Sequence, residues 1–217
     1  MSLLINDIAP DFNSNSTDGP IKFHEWIGSS YAILFSHPKD FTPVCTTEFA
    51  AVAALCLEFK NRNTKVIGVS VDSNDDHKKW MKDIESISSS KVTFPIIDDK
   101  SLAVSKLYRM FPAEAYLSND RTAHDSETVR TVFLIGPDKK IRLTLSYPMA
   151  VGRNFNEILR ALDAIQLTDK HTVATPVNWL IGQDVIVPLT INDVDATNKF
   201  GLVDKKLPYL RYIKQPE

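Results

Sequence analysis

YAILFSHPKDFTPVCTTEF, residues 31–49, joins two patterns. Its first five residues form a short apolar run that reads as a buried strand. Beyond Val44, the residues Phe49, Val52, Ala53, Cys56 and Phe59 recur at helical spacing and predict one helix over about 44–61. The segment between them places Cys45 in the first turn of that helix. There, unpaired backbone N–H groups and the positive end of the helix dipole favour an anion, so the position suits a thiolate nucleophile. Pro38 and Pro43 fix φ along the loop and stiffen it. Thr42 precedes Cys45 by three residues, close enough for its hydroxyl to bond the sulfur or a bound oxygen, and Glu48 repeats that spacing on the other side. The competing reading is a core cysteine beneath a proline-rich turn.

Working outward, KVIGVSVD (65–72) reads as a strand, and SNDD (73–76) as the start of an amphipathic helix through Ile84. A polar connection follows at 86–91, then a short strand at 94–97 and a short helix over 102–108. Residues 131–135 and 141–145, joined through GPDKK (136–140), read as a hairpin. Asn154 with Glu157 resembles a capping box opening a helix to about Leu167. Residues 111–127 have no clear periodicity, and a connection of that length suits a mobile segment or a rim. After about residue 170 the chain changes character, with Pro176, Pro188, Pro208 and Pro216, short strand-like pieces and no second strong helix. Strands alternating with helices, then a hairpin, then a helix, predict an α/β sandwich with a mixed sheet.

The spacing Pro38, Thr42, Cys45 resembles the peroxidatic motif of the peroxiredoxins, and HPKDFTPVCTTE is similar to the form found in their one-cysteine, peroxiredoxin-6-like subgroup. FPIIDD (94–99), VFLIGPDKK (132–140), YP (147–148), GRNF (152–155) and VATPVNW (173–179) follow in that subgroup's order and spacing. The resemblance covers nearly the whole chain. It implies a thioredoxin-like fold with flanking helices over residues 1–170. It also implies a small C-terminal peroxiredoxin domain over 171–217 that lies in a homodimer interface, near the partner's active site. Arg130 matches the family's catalytic arginine and Arg153 a subgroup arginine. Glu48 resembles the acid that orients the arginine, while Pro38 and His37 belong to the substrate pocket. Without the resemblance, Arg130 reads as a strand-edge charge, Arg153 as a surface ion-pair partner, and His37 as packing.

The 217 residues can bury a full core, and 25 Lys and Arg against 27 Asp and Glu leave no global field for nucleic acid or an anionic membrane. The longest apolar run, 49–57, is too short to span a bilayer, and the N-terminal residues lack a secretory pattern. Two cysteines make no disulfide framework. These features predict a soluble, unprocessed chain in a reducing, cytoplasmic setting, with no bound metal or cofactor.

A thiolate at Cys45 attacks one oxygen of a peroxide, forms a sulfenic acid and expels water or an alcohol. Thr42, the Cys45 N–H and Arg130 are candidates to stabilise the departing oxygen. On one continuous helix Cys56 sits about 16 Å along the axis from Cys45. A disulfide needs Cα atoms within about 7 Å. Cys56 is therefore expected to be a buried structural thiol, and an external thiol, glutathione or a thioredoxin-type protein, to reduce the sulfenic acid. Two alternatives stand beside this peroxidase. Some peroxiredoxin-6 proteins resemble serine lipases, here at His24, Ser30 and Asp138, but GSSYA (28–32) ends in alanine where a nucleophile elbow has glycine. The other is a non-enzymatic, chaperone-like oligomer.

Overall fold

The computed structural model describes residues 3–115 and 126–217, and the chain divides into two compact units at Arg153/Asn154. The N-terminal unit is built on a sheet of strands β1 (Asn13–Ser16), β2 (Gly19–Lys22), β3 (Tyr31–Ser36), β4 (Thr64–Ser70), β5 (Ile96–Asp98), β6 (Arg130–Ile135) and β7 (Ile141–Tyr147). Their spatial order is β2-β1-β5-β4-β3-β6-β7. β3 pairs parallel to β4 and antiparallel to β6, with Leu34 between Ile67 and Phe133. The sheet is mixed, as the pattern predicts. β3 shows no alternation because both of its faces are covered.

One face packs under helices α1 (Phe23–Ile27) and α5 (Ala103–Leu107), where Ala32, Leu34, Ile67 and Phe133 meet Phe23, Ile27 and Tyr108. The other face carries an aromatic cluster: Phe35 and Phe49 have ring centroids 5.0 Å apart, and Phe49 and Trp80 4.6 Å. This cluster seats helices α2 (Pro43–Ala54) and α4 (Asn74–Ile87) on the sheet. Gly68 of β4 suits this packing, since a Cβ at that position would meet Phe49 Cζ at 3.0 Å and Cε1 at 3.3 Å and the ring would have to give way. α4 begins where SNDD predicts, with Ser73 Oγ accepting from the Asp76 N–H.

The single helix expected over 44–61 is corrected: α2 ends at Ala54 and α3 (Cys56–Asn61) follows, with Leu55 at φ −92°, ψ 0° between them. The Leu55 N–H turns toward both the Ala51 and Val52 carbonyls, so the turn tightens and the axis is interrupted. Cys56 is corrected too. It is half-buried, not buried, and lines a cleft of about 300 Å³ with Trp26, Lys60, Lys65 and Phe94.

The C-terminal unit contains α6 (Phe155–Lys170), α7 (Asp193–Phe200) and an antiparallel sheet of β8 (Val185–Ile186), β10 (Leu210–Ile213) and β9 (Asp204–Leu207), in that spatial order. Asn154 caps α6 through the Asn156 and Glu157 N–H groups. Leu167 shares a core with Val173, Trp179, Val185 and Ile213, so α6 groups with the tail, whereas the sequence places the boundary after residue 170. α7, capped by Asn192, is a helix where none was expected. The mobile segment or rim expected over 111–127 lies largely outside the described residues.

Candidate active site

The loop after β3 enters α2 through Thr42, the N-cap in an extended conformation, and Pro43, the first helical residue, whose missing N–H costs nothing there. The first α-helical bond of α2 runs from the Thr46 N–H to the Thr42 carbonyl at 3.0 Å. The Val44 and Cys45 N–H groups precede it and have no acceptor within the helix. Cys45, two residues into α2, is fully buried.

Arg130, the first residue of β6, lies across from it. Its Nη1 is 3.3 Å from Cys45 Sγ and 2.8 Å from Glu48 Oε2, and its Nε donates to the Met149 carbonyl at 2.7 Å. Arg153 backs the pair: Nε donates to Glu48 Oε1 at 2.9 Å and Nη2 to Oε2 at 2.7 Å, and its backbone N–H adds a bond to Oε1 at 2.8 Å. Arg153 Nη1 is fixed by the Ser36 and Thr131 carbonyls. Burial pushes the Glu48 carboxyl up, but the hydrogen bonds and charge of Arg153, joined by the charge of Arg130, outweigh it and hold the group below the usual carboxylate range. Both guanidiniums and the carboxylate are almost wholly buried. Two positive groups face one negative group, and a thiolate at Cys45 makes the buried cluster neutral.

The structure brings Cys45, Glu48, Arg130 and Arg153 together. Thr42 Oγ1 donates to the Lys39 carbonyl at 2.9 Å, which leaves its lone pairs free to accept. Pro38 is buried in the approach to the loop. His37 points into a second buried cluster: its Nε2 is 2.7 Å from Asp40 Oδ1, and its ring stacks on Trp80 at 5.0 Å. Asp40, His77 and Trp80 carry no assignment from the sequence. Asp40 stands inside the cysteine motif, and His77 and Trp80 share a face of α4 at a three-residue spacing, which is the signal a sequence reader has.

The lipase-like positions make other bonds. His24 Nε2 is 2.7 Å from the Ala9 carbonyl, Ser30 Oγ donates to Asn63 Oδ1 at 2.9 Å, and Asp138 holds Arg142 at 3.1 Å while accepting from the Lys140 N–H. Asp138 thus acts as a turn residue.

Comparison with known proteins places the chain in a family. The AhpC/TSA family profile matches residues 5–144, and the profile for the C-terminal domain of one-cysteine peroxiredoxin matches residues 164–201. The mitochondrial peroxiredoxin of Saccharomyces cerevisiae is 49% identical over 98% of this chain and 81% of its own length. Peroxiredoxin-6 of Homo sapiens is 47% identical over 99% of this chain and 98% of its own. The crystal structure of a peroxiredoxin 6 mutant from Arenicola marina superposes with a TM-score of 0.92 at 40% identity, covering 100% of both chains. A yeast mitochondrial one-cysteine peroxiredoxin, whose thiol resolving mechanism runs via glutathione/thioredoxin systems, superposes at 0.89 with 48% identity, covering 98% of this chain and 99% of its own. The chain belongs to the AhpC/TSA family as a one-cysteine peroxiredoxin, and it is a thiol-dependent peroxidase.

Proposed function

We propose that Cys45 is the peroxidatic nucleophile and reduces hydrogen peroxide and small organic hydroperoxides. The observation that carries this reading is the 3.3 Å contact between Arg130 Nη1 and Cys45 Sγ in a fully buried pocket at a helix start. The thiolate attacks one peroxide oxygen, the O–O bond breaks, and the departing oxygen takes a proton and leaves as water or an alcohol. The product is a Cys45 sulfenic acid. Arg130 and the Val44 and Cys45 N–H groups supply fixed positive charge for the departing oxygen. Thr42 accepts a hydrogen bond from the protonated peroxide, because its own proton is engaged by Lys39. Glu48 and Arg153 hold Arg130 in place, and Pro38 stiffens the approach.

The sulfenic acid is reduced by an external thiol, with glutathione and a thioredoxin-type protein as the two candidates. The thiol resolution described for the similar yeast protein supports both. The working form is a homodimer with the C-terminal segment, residues 171–217, in its interface. The compartment is cytoplasmic, with the mitochondrion the competing site raised by the name of the yeast relative. Among the described residues, no helix is long and apolar enough to cross a membrane. The test is peroxide consumption with dithiothreitol as reductant. Wild type and Cys56→Ser are expected to turn over alike and Cys45→Ser not at all; equal activity in all three sinks the assignment.

A further inference from the structure

Apart from its contacts at Arg130, the Cys45 loop is fastened to α4 by a buried chain of side chains centred on Asp40. His37 Nε2 lies 2.7 Å from Asp40 Oδ1, and His77 Nδ1 lies 2.6 Å from Oδ2. His77 Nε2 is 3.1 Å from the Ile97 carbonyl on β5. A carboxylate and a carbonyl only accept, so both ring nitrogens of His77 carry protons and the ring is an imidazolium. His37 needs a single proton, on Nε2, and its buried Nδ1 has no hydrogen-bond partner. Among the described residues, Asp72 also faces the chain, accepting from the Asp40 N–H at 3.0 Å and from Ser70 Oγ. Burial works against charge on His77, yet the Asp40 bond and charge raise it above the ordinary histidine value; burial keeps His37 below that value. The three ligand-type atoms lie within 4.8 Å of one another, but both carboxylate oxygens already accept from imidazole N–H groups, which makes this a hydrogen-bonded clamp.

One turn further along α4, Trp80 stacks on His37 and donates through Nε1 to Thr46 Oγ1 at 3.1 Å, and Thr46 in turn bonds the Thr42 carbonyl at 2.7 Å. α4 thus grips the chain on both sides of the reactive cysteine, at Asp40 and at Thr46. Between those grips Phe41 has φ +56°, a left-handed conformation that a bulky residue keeps only where its surroundings enforce it. Cys45 itself is fully buried. With no exposed surface on Cys45, the segment must open before the sulfur of a glutathione or protein thiol can reach it.

We propose that His77 is a positioning residue that sets how readily the 37–46 segment opens, and so divides the Cys45 sulfenic acid between two fates. The inference rests on the peroxidase reading above. In the closed form a second peroxide adds one oxygen to the sulfur, giving a sulfinic acid and water. In the open form a thiol's sulfur attacks, an S–S bond forms, and the sulfenic oxygen leaves as water with the thiol's proton. Loosening the clamp favours the second path.

The experiment compares wild type, His77→Asn, His77→Leu and Trp80→Phe as full chains, under steady peroxide with dithiothreitol as reductant. Two quantities are read: Cys45 sulfinic acid formed per turnover, by mass spectrometry, and amide exchange of residues 37–46. His77→Asn keeps a donor for Asp40 and loses the imidazolium and the Ile97 bond; Trp80→Phe keeps the ring stack and loses the Thr46 bond. Loss of one such hydrogen bond predicts roughly three- to tenfold faster exchange of the segment and a matching fall in overoxidation per turnover. His77→Asn is expected to lie between wild type and His77→Leu. If His77→Leu does not fold, His77→Asn and Trp80→Phe carry the same test. Exchange and overoxidation at wild-type levels in folded variants overturn the clamp. Faster exchange in a protein whose wild type consumes no peroxide overturns the peroxidase reading and leaves the clamp standing.

Discussion

Glu48, Arg130 and Arg153 put two guanidiniums against one carboxylate in a buried space, with the sulfur of Cys45 in contact with Arg130. Their separate roles are distinguishable by substitution. Arg130→Gln keeps an amide near the sulfur and leaves Glu48 paired with Arg153, so the fold should hold. Removing the fixed charge is expected to slow sulfenic acid formation by roughly 10²–10³-fold. Stopped-flow tryptophan fluorescence after peroxide mixing measures this, and an unchanged rate removes Arg130 from the chemistry. Glu48→Gln leaves two buried arginines short of their counter-charge, a loss of about 3–5 kcal/mol of stability, read by urea unfolding. A Glu48→Gln protein as stable as wild type contradicts the account of Glu48 as the anchor. At this scale the sequence was generous around the cysteine, because Pro38, Thr42, Cys45 and Glu48 sit in one short motif. Arg130 and Arg153 were legible only through family resemblance, since nothing local distinguishes them from surface charges.

At the scale of elements, α4 is tied to the cysteine loop by the His77 and Asp40 pair, and that pair gives stability a defined pH dependence. His77 has its folded value raised above 6.5, so its contribution is fully present below pH 6.5 and lost as pH rises through the folded value. Asp40 has its folded value depressed, against burial, by the bonds from His37 and His77. Its contribution is present above its ordinary 3.8 and lost as pH falls through the folded value. The melting temperature gap between wild type and His77→Asn should therefore be widest near pH 6, roughly 2–10 °C, and narrow toward alkaline pH. A gap independent of pH contradicts the charged state assigned to His77. Element reading from sequence worked where periodicity was strong, as in β3, β4, α4 and the β6–β7 pair. It failed at Leu55, because the apolar pattern runs unbroken through the interruption and only hydrogen-bond geometry reveals it. It also passed over the β1–β2 hairpin, whose NSNS strand carries no apolar alternation, and α7, whose DVDATNKF reads as polar loop.

At the scale of the whole molecule, Cys45, Glu48, Arg130 and Arg153 all belong to the N-terminal unit, and the C-terminal unit carries exposed apolar side chains. Val177 is 87% and Leu202 91% exposed, and Leu189 and Tyr209 are exposed as well. Such surface favours association, and light scattering at micromolar concentration should return twice the 24.4 kDa chain mass. A monomer at that concentration contradicts the dimer. What sequence could not convey at this scale is contact across distance: His77 meets Asp40 although 37 residues separate them, and Cys56 faces a cleft lined by Trp26 and Phe94. The central claim is a one-cysteine cycle at Cys45, and one equivalent of peroxide added to the fully reduced chain without any thiol tests it. Trapping with a sulfenic-specific reagent and peptide mass analysis should find one oxygen on Cys45 and unmodified Cys56. A stoichiometric Cys45–Cys56 disulfide, within or between chains, would contradict it.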